Sequence, residues 1–385
     1  MILDPALKVI QPDHQIFVLH PGDGKRFYDD FKHFKAVFLD LPGANLEAAP
    51  DLELEVVRNR LRMARALAAW NRQRVKPERP STDPDDHSVQ ATKPARYMRE
   101  AETLYKLAKP GDLIIIPGSG YNTDVMLAEI VGEFDPTFTV RPGRYLDPVQ
   151  ARRIKFLDRN QPKYEFGQRQ IKLMQNRQAL IRVSENASRH EFYEHAYGDY
   201  VYGDRSGNFM EVTQRVVDQK DLSDALFLTN LYGAMYVALR NDCLEDFLSL
   251  SLQDGLDKYY NRELFGDISI EVHSPGFFGR PLRDAALAGY IASMTVLASA
   301  GANPVAAADV KVQNSANATV SICDQSLEDD LQHSMRMVMN ADLWWEKVCG
   351  KQMLVNDAVG LKTKARLVED GGKIPIPAPS PVAKD

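Results

Sequence analysis

The chain has 385 residues, 44% of them apolar and 26% charged, and a formal net charge of −6. That length supports two or three ordinary domains with buried cores, and that composition excludes a largely disordered chain. Cys243, Cys323 and Cys349 form an odd set without metal-ligand spacing, and MILDPALKVIQPDHQ lacks the basic start and apolar stretch of a signal peptide, so a reduced cytoplasm is expected.

Charge is unevenly spread. Residues 1–185 hold 29 Lys+Arg against 25 Asp+Glu, and the remainder 18 against 28. A mildly basic first half and an acidic second half point to different partners, with a protein partner expected for the acidic half.

Gln15 to Leu19 reads as a first strand, turned by His20-Pro21-Gly22-Asp23-Gly24-Lys25, and Ala36 to Leu39 as a second. Val56, Leu61, Met63, Leu67 and Trp70 fall at roughly helical spacing within Leu52 to Trp70. That helix also carries Arg58, Arg60, Arg62 and Arg65, a solvated face or a phosphate-facing one. Pro77 to Pro94 is rich in Pro, Ser, Asp and Thr and predicts a mobile surface loop, and Arg96 to Leu107 a short helix.

Lys109-Pro110-Gly111-Asp112 is turn chemistry, and Leu113 to Ile116 an unbroken apolar run that predicts a strand covered on both faces. Pro117-Gly118-Ser119-Gly120 breaks the chain before a second run, Val125 to Val131, so a β-hairpin is predicted. Gln150 to Leu157 predicts a further strand and Phe166 to Val183 an amphipathic helix. Two phosphate-loop look-alikes fail. In the Gly24-Lys25 turn, Leu19 stands where the first glycine belongs and Arg26 where Ser/Thr would hold magnesium. Gly118-Ser119-Gly120 leads into a strand, not into a helix whose N-terminus could take pyrophosphate.

Three short segments carry a family resemblance: Gly111-Asp112-Leu113-Ile114-Ile115, Ala128-Glu129-Ile130-Val131-Gly132-Glu133 and Arg152-Arg153-Ile154-Lys155-Phe156. In this order, over residues 14–183, the chain resembles the EVE/PUA-like DNA-sensing domains at the N-terminus of Mrr- and McrB-type restriction and phage-defence proteins. Phe156 stands where the usual aromatic is Trp, and loop 77–94 reads as an insertion. The resemblance implies a small β-barrel that takes a flipped, often modified, base into a pocket between its loops. Unstacking costs a few kcal/mol, repaid by ring stacking and hydrogen bonds to the base edge. The residues it would use are Tyr121 and Phe134 for stacking, Ser119 and Asn122 for hydrogen bonds, and Arg152 and Arg153 for phosphate. For each the bland alternative stays open: Phe134 as core, Ser119 and Asn122 as turn residues, one of the two arginines turned inward by strand alternation.

Texture changes at Glu185 to Arg189. In His190-Glu191-Phe192-Tyr193-Glu194-His195 the histidines are five apart, not the i, i+4 of the helical zinc motif, so no metal is assigned. Tyr197 to Gly203 predicts a strand, Asp221 to Leu250 a buried helix continued by a second, and Ile268 to Val272 a strand. Ser274-Pro275 predicts a helix start. Ala285 to Ala308 is uncharged and long enough to span a bilayer, or to pack as a buried or oligomer-forming helix. Val310 to Val312 and Thr319 to Ile322 predict a hairpin, Ser326 to Val355 helix, and the Pro-rich end a disordered tail.

The expected fold class is therefore α+β. A small EVE/PUA-like β-barrel with helices (1–185) precedes an α-rich α+β domain (190–365) and a tail (366–385). The expected function is anti-phage defence, with nucleic acid, DNA before RNA, sensed by the barrel. The second domain would assemble homo-oligomers or signal. No catalytic residue, metal or cofactor is assigned. The alternatives are a divergent nuclease or hydrolase around His190, His195 or His273, and a membrane-acting effector using residues 285–308.

Overall fold

The computed structural model describes residues 2–89, 93–143, 145–157, 161–176, 178–214, 216–266, 269–271, 276–300, 311–315, 322–339 and 342–368. The chain is an α+β protein, 45% helix and 20% strand. Its described residues divide into two compact units: Asp13–Phe192, and those up to Pro12 together with those from Tyr193 to Val368. The first twelve residues thus belong with the C-terminal part of the chain.

The Asp13–Phe192 unit is built on a curled sheet in the order Leu180–Arg182, Ile16–Leu19, Leu113–Pro117, Asp124–Ile130, Arg152–Phe156, Ala36–Val37, with Gln161–Pro162 also paired to the Asp124–Ile130 strand. Ile16–Leu19 runs parallel to Leu113–Pro117, and the predicted hairpin forms with Leu113 opposite Glu129 and Pro117 opposite Val125. Gly111, at φ 88°, supplies the positive φ that the Lys109–Asp112 turn needs before the hairpin. The unbroken run is covered on both faces, since Leu113, Ile114, Ile115 and Ile116 are all fully buried.

The sheet is half a barrel and does not close. Closure needs the first and last strands to bond to each other, and here Leu180–Arg182 and Ala36–Val37 are separate edges of three and two residues. The apolar face is instead covered by helices. Val57, Leu61 and Ala64 from Glu55–Arg72, with Met98, Ala101 and Leu104 from the next helical segment, share one core with Ile114, Ile116, Met126 and Ala128. Phe166 to Val183 is not one helix. It is helical over Gln168–Gln175 and then gives the Leu180–Arg182 edge strand, because Ile181 pairs with Val18. The Pro77 to Pro94 segment is held at its start by Arg79, which donates to both carboxylate oxygens of Asp147 at 2.6 and 2.7 Å.

A buried polar network ties helix to sheet. Helix Arg96–Glu102 runs into a π-helical turn, Thr103–Leu107, whose carbonyls fall out of the usual ladder. Arg152, 1% exposed, donates to Leu104 O at 3.1 Å, Ala108 O at 2.9 Å and Gly132 O at 2.8 Å. Tyr105 donates to Gln150 O at 2.8 Å and accepts from Leu39 N at 3.2 Å.

In the other unit, Ser269–Glu271, Gly276–Leu282, Arg205–Val212, Tyr200–Tyr202 and Lys8–Ile10 form one sheet, and Lys311–Val312, Ile2–Asp4 and Arg366–Val368 another. Of the predicted hairpin over 310–322, Lys311–Val312 is a strand that pairs with Ile2–Leu3, residues 316–321 lie outside the described part, and Ile322 opens a helix. Ser274-Pro275 also lies outside it, and the chain that follows is the strand Gly276–Leu282, not a helix. The described part of 285–308 is a 13-residue helix, Leu287–Ser299, about 20 Å long and largely buried in the core, against the roughly 30 Å of a bilayer interior. Among the described residues one helix, Gln219–Arg240, is long and apolar enough to cross a membrane, and half of that apolar stretch is buried within the protein. Of the predicted tail, Arg366–Val368 is a strand, and residues 369–385 lie outside the described part.

Replacing Arg152 by Met keeps most of its volume and removes every donor. Leaving three carbonyls unsatisfied at this depth should cost about 3 kcal/mol or more. The expected result is a lower urea midpoint for the full chain with little change in far-UV circular dichroism. An unchanged midpoint would show that the guanidinium does not hold the π-turn to the sheet.

Candidate nucleic-acid interface

The six residues singled out in the sequence fall into two groups at opposite ends of the Asp124–Ile130 strand. Ser119, Tyr121 and Asn122 are exposed together in the hairpin loop before that strand. Phe134, Arg152 and Arg153 lie at or beyond its far end. Seven residues of strand separate the ends by roughly 20 Å, so the six cannot surround one base.

The far group is internally satisfied. Phe134 is 6% exposed, with its ring centroid 4.7 Å from that of Tyr105. Arg152 points inward and spends its donors on main-chain carbonyls. Arg153, the outward member of the pair, lies over the Phe138 ring at 3.8 Å and pairs with Asp135 at 3.6 Å.

The near group has different neighbours. Three segments meet at this end: the turn after Ile16–Leu19, the Gly118–Thr123 loop, and the stretch Gln161–Glu165. Lys163 joins two of them, since its backbone N–H donates to Thr123 O at 3.3 Å and its Nζ to Gly118 O at 2.8 Å. Tyr28 joins the third by donating to Asp124 O at 2.7 Å. Gly118 is required here, because a Cβ would lie 2.2 Å from Thr123 Cγ2. The Tyr121 and Tyr164 rings are 55% and 48% exposed, with centroids 6.1 Å apart.

The turn places a cation beneath them. Gly22 has φ 72°, and a Cβ there would meet Phe27 Cδ2 at 2.6 Å. Gly24 and Lys25 follow at φ 62° and 59°, and the left-handed region is strained for a lysine. Lys25 so placed donates its Nζ to His20 Nδ1. That fixes the imidazole proton on Nε2, a buried donor with no acceptor.

His20, Lys25 and Lys163 therefore gather partly buried donors, and no described carboxylate lies within ion-pair distance of either lysine. The contrast with the next residue is plain. Arg26 pairs with Asp40 and donates to Tyr145 Oη at 2.6 Å, which in turn donates to Asp40 Oδ1 at 2.7 Å. The electrostatics record the imbalance. Burial, then the charges of Lys25 and Lys163, bring the His20 imidazole down to about 4. Burial, then the charge of Lys163, brings the Lys25 ammonium down to about 8, and burial alone lowers Lys163.

Sequence reasoning passed over His20, Lys25, Lys163 and Tyr164. The signal present was Gly24-Lys25, set aside because it fails as a nucleotide-triphosphate loop; a lysine in a glycine turn can still face a phosphate. His190 and His195 sit on helix Asn186–Tyr197 at 9% and 8% exposure. Five residues of helix set them about 140° apart around its axis, so they share no face. His273 lies outside the described residues.

Both lowered groups carry the same sign. Each binds protons more readily unfolded, so His20 costs stability as pH falls from 6.5 through about 4, and Lys25 as pH falls from 10.5 through about 8. At pH 7 Lys25 is charged at a cost. Lys25→Met is therefore expected to raise the thermal midpoint at pH 7 and to move the His20 imidazole titration upward in NMR. A lower midpoint with an unmoved His20 would show that the two do not interact. Comparison with protein-family models, with characterised proteins and with solved structures found no match for this chain.

Proposed function

We propose that the Asp13–Phe192 unit binds nucleic acid through the end formed by His20, Lys25, Gly118–Thr123, Lys163 and Tyr164, as the sensing part of an anti-phage defence protein. The observation that carries this reading is the pair of exposed rings beside cations that no described carboxylate neutralises. Aromatic faces stack any base, and lysines follow the backbone, which together is the chemistry of single-strand and flipped-base binding. The likeness of the Gly111–Ile115, Ala128–Glu133 and Arg152–Phe156 segments to EVE/PUA-like DNA-sensing domains supports it, with an open half-barrel in place of a closed barrel. Tyr121, Ser119 and Asn122 keep their assigned part, joined by Tyr164. Phosphate contact passes from Arg152 and Arg153 to Lys25 and Lys163. DNA is the preferred partner, and the other unit, whose sequence is acidic, would assemble copies of the chain or meet a protein partner.

Binding of fluorescent oligonucleotides to the full chain, unmodified and cytosine-modified, at two salt concentrations tests this. Affinity should fall as salt rises, since each neutralised phosphate releases counterions. Tyr121→Ala and Tyr164→Ala should each weaken binding about tenfold, the loss of one stacked base. Binding that ignores both salt and the tyrosines would overturn the reading.

A further inference from the structure

We propose that His20, Lys25 and Lys163 form a site for a phosphomonoester, the charged end of a nucleic-acid strand. The inference rests on the reading of this end of the unit as a nucleic-acid interface and makes it specific: the protein would recognise strand ends.

Charge balance is the first argument. Two ammonium groups without a described carboxylate partner match the charge of a phosphomonoester, which approaches −2 at neutral pH, whereas a phosphodiester inside a strand carries only −1. Donor supply is the second. Lys25 and Lys163 each hold further ammonium hydrogens beyond the single bonds described, and His20 Nε2 is a buried donor without an acceptor. A phosphoryl group presents three strong acceptor oxygens.

Shape is the third argument. Lys163 is only 5% exposed, so it offers little open surface for a phosphate to run along. A monoester has one substituent and can enter with its three free oxygens first. A diester has two and must run along the surface. The single arm of a monoester would leave past Tyr164, the residue after Lys163, where the ring pair with Tyr121 could stack the terminal base. Backbone strain is consistent with this. Lys25 holds a left-handed conformation and a buried charge, both costly in the free protein. Arg26, one residue on, is spent on Asp40 and Tyr145.

The test uses the full chain and one oligonucleotide sequence in four forms: 5′-phosphate, 3′-phosphate, hydroxyl at both ends, and a closed circle. AMP and inorganic phosphate serve as small probes, and the His20 imidazole is followed by NMR. At least one phosphorylated form should bind about tenfold more tightly than the hydroxyl form, the worth of one charged hydrogen bond. That preference should vanish in Lys25→Gln and survive in Arg153→Gln. Because Lys163→Gln also loses its contact to Gly118, Lys25→Gln is the deciding variant, with circular dichroism to confirm its fold. Equal affinity for all four forms would overturn the strand-end site and leave nucleic-acid binding standing. A response of His20 to AMP or phosphate with no oligonucleotide bound would overturn both strand-end recognition and the nucleic-acid reading, leaving a free mononucleotide as occupant. No response of His20 to any phosphate would overturn the site itself.

Discussion

A guanidinium shut inside a protein is costly unless its surroundings accept from it, and the Asp13–Phe192 unit is arranged around one whose two terminal nitrogens donate to three main-chain carbonyls, while its buried Nε has no described partner. Arg152 faces inward from the strand beside the Ala36–Val37 edge and meets carbonyls from the π-turn and its end and from the turn after the Asp124–Ile130 strand. The π-turn frees carbonyls that a regular helix would have used, and Arg152 takes them up. Helix, hairpin and sheet thereby share one polar anchor, with Tyr105 and Gln150 extending it to Leu39 and Leu46. Because this interaction fixes the hairpin at one end of the long strand, the loop at the other end projects from a defined base.

The two ends of that strand differ in how charge is treated. At the Arg152 end each cation has been answered, by carbonyls for Arg152 and by Asp135 and a ring for Arg153. At the loop end, the side chains of Lys25 and Lys163 have, among the described residues, a histidine nitrogen and a carbonyl. Natural proteins rarely bury ammonium groups without pairing them, since desolvation is not repaid. Strain and charge without a described counter-ion in one turn are local costs to stability, of the kind the proposed binding role would explain.

Much of this fold could be read locally. The Leu113–Ile116 run, the hairpin and the Glu55–Arg72 helix are set by short-range pattern and turn chemistry, and they form as read. What failed depends on distant partners. Leu180 and Ile181 continue an amphipathic helical pattern, yet a strand forms there because Ile16–Leu19 offers an unfilled edge. Lys311–Val312 has a described partner some three hundred residues away at Ile2–Leu3, which no local pattern could show. The site was half legible for the same reason. Ser119, Tyr121 and Asn122 are close in sequence, and His20 and Lys25 share one turn, whereas Lys163 comes from more than a hundred residues further on, held at this end by its bonds to Thr123 and Gly118. Arg152 is the instructive case: its residue type pointed to phosphate, and alternation along the strand turned it into the core.

The same long-range pairing makes the Asp13–Phe192 unit an insertion within the other. Buried Asp4 accepts from Ser315 N at 3.0 Å and from Arg366 Nε at 3.0 Å, so the first strand of the chain is completed by almost the last one described. Sheets closed by partners so far apart in sequence form late, because loop closure must be paid before the contacts reward it. The inserted unit has no such dependence. Its strands and helices find their partners within residues 16–182, so it can organise while the enclosing unit still awaits its last strand.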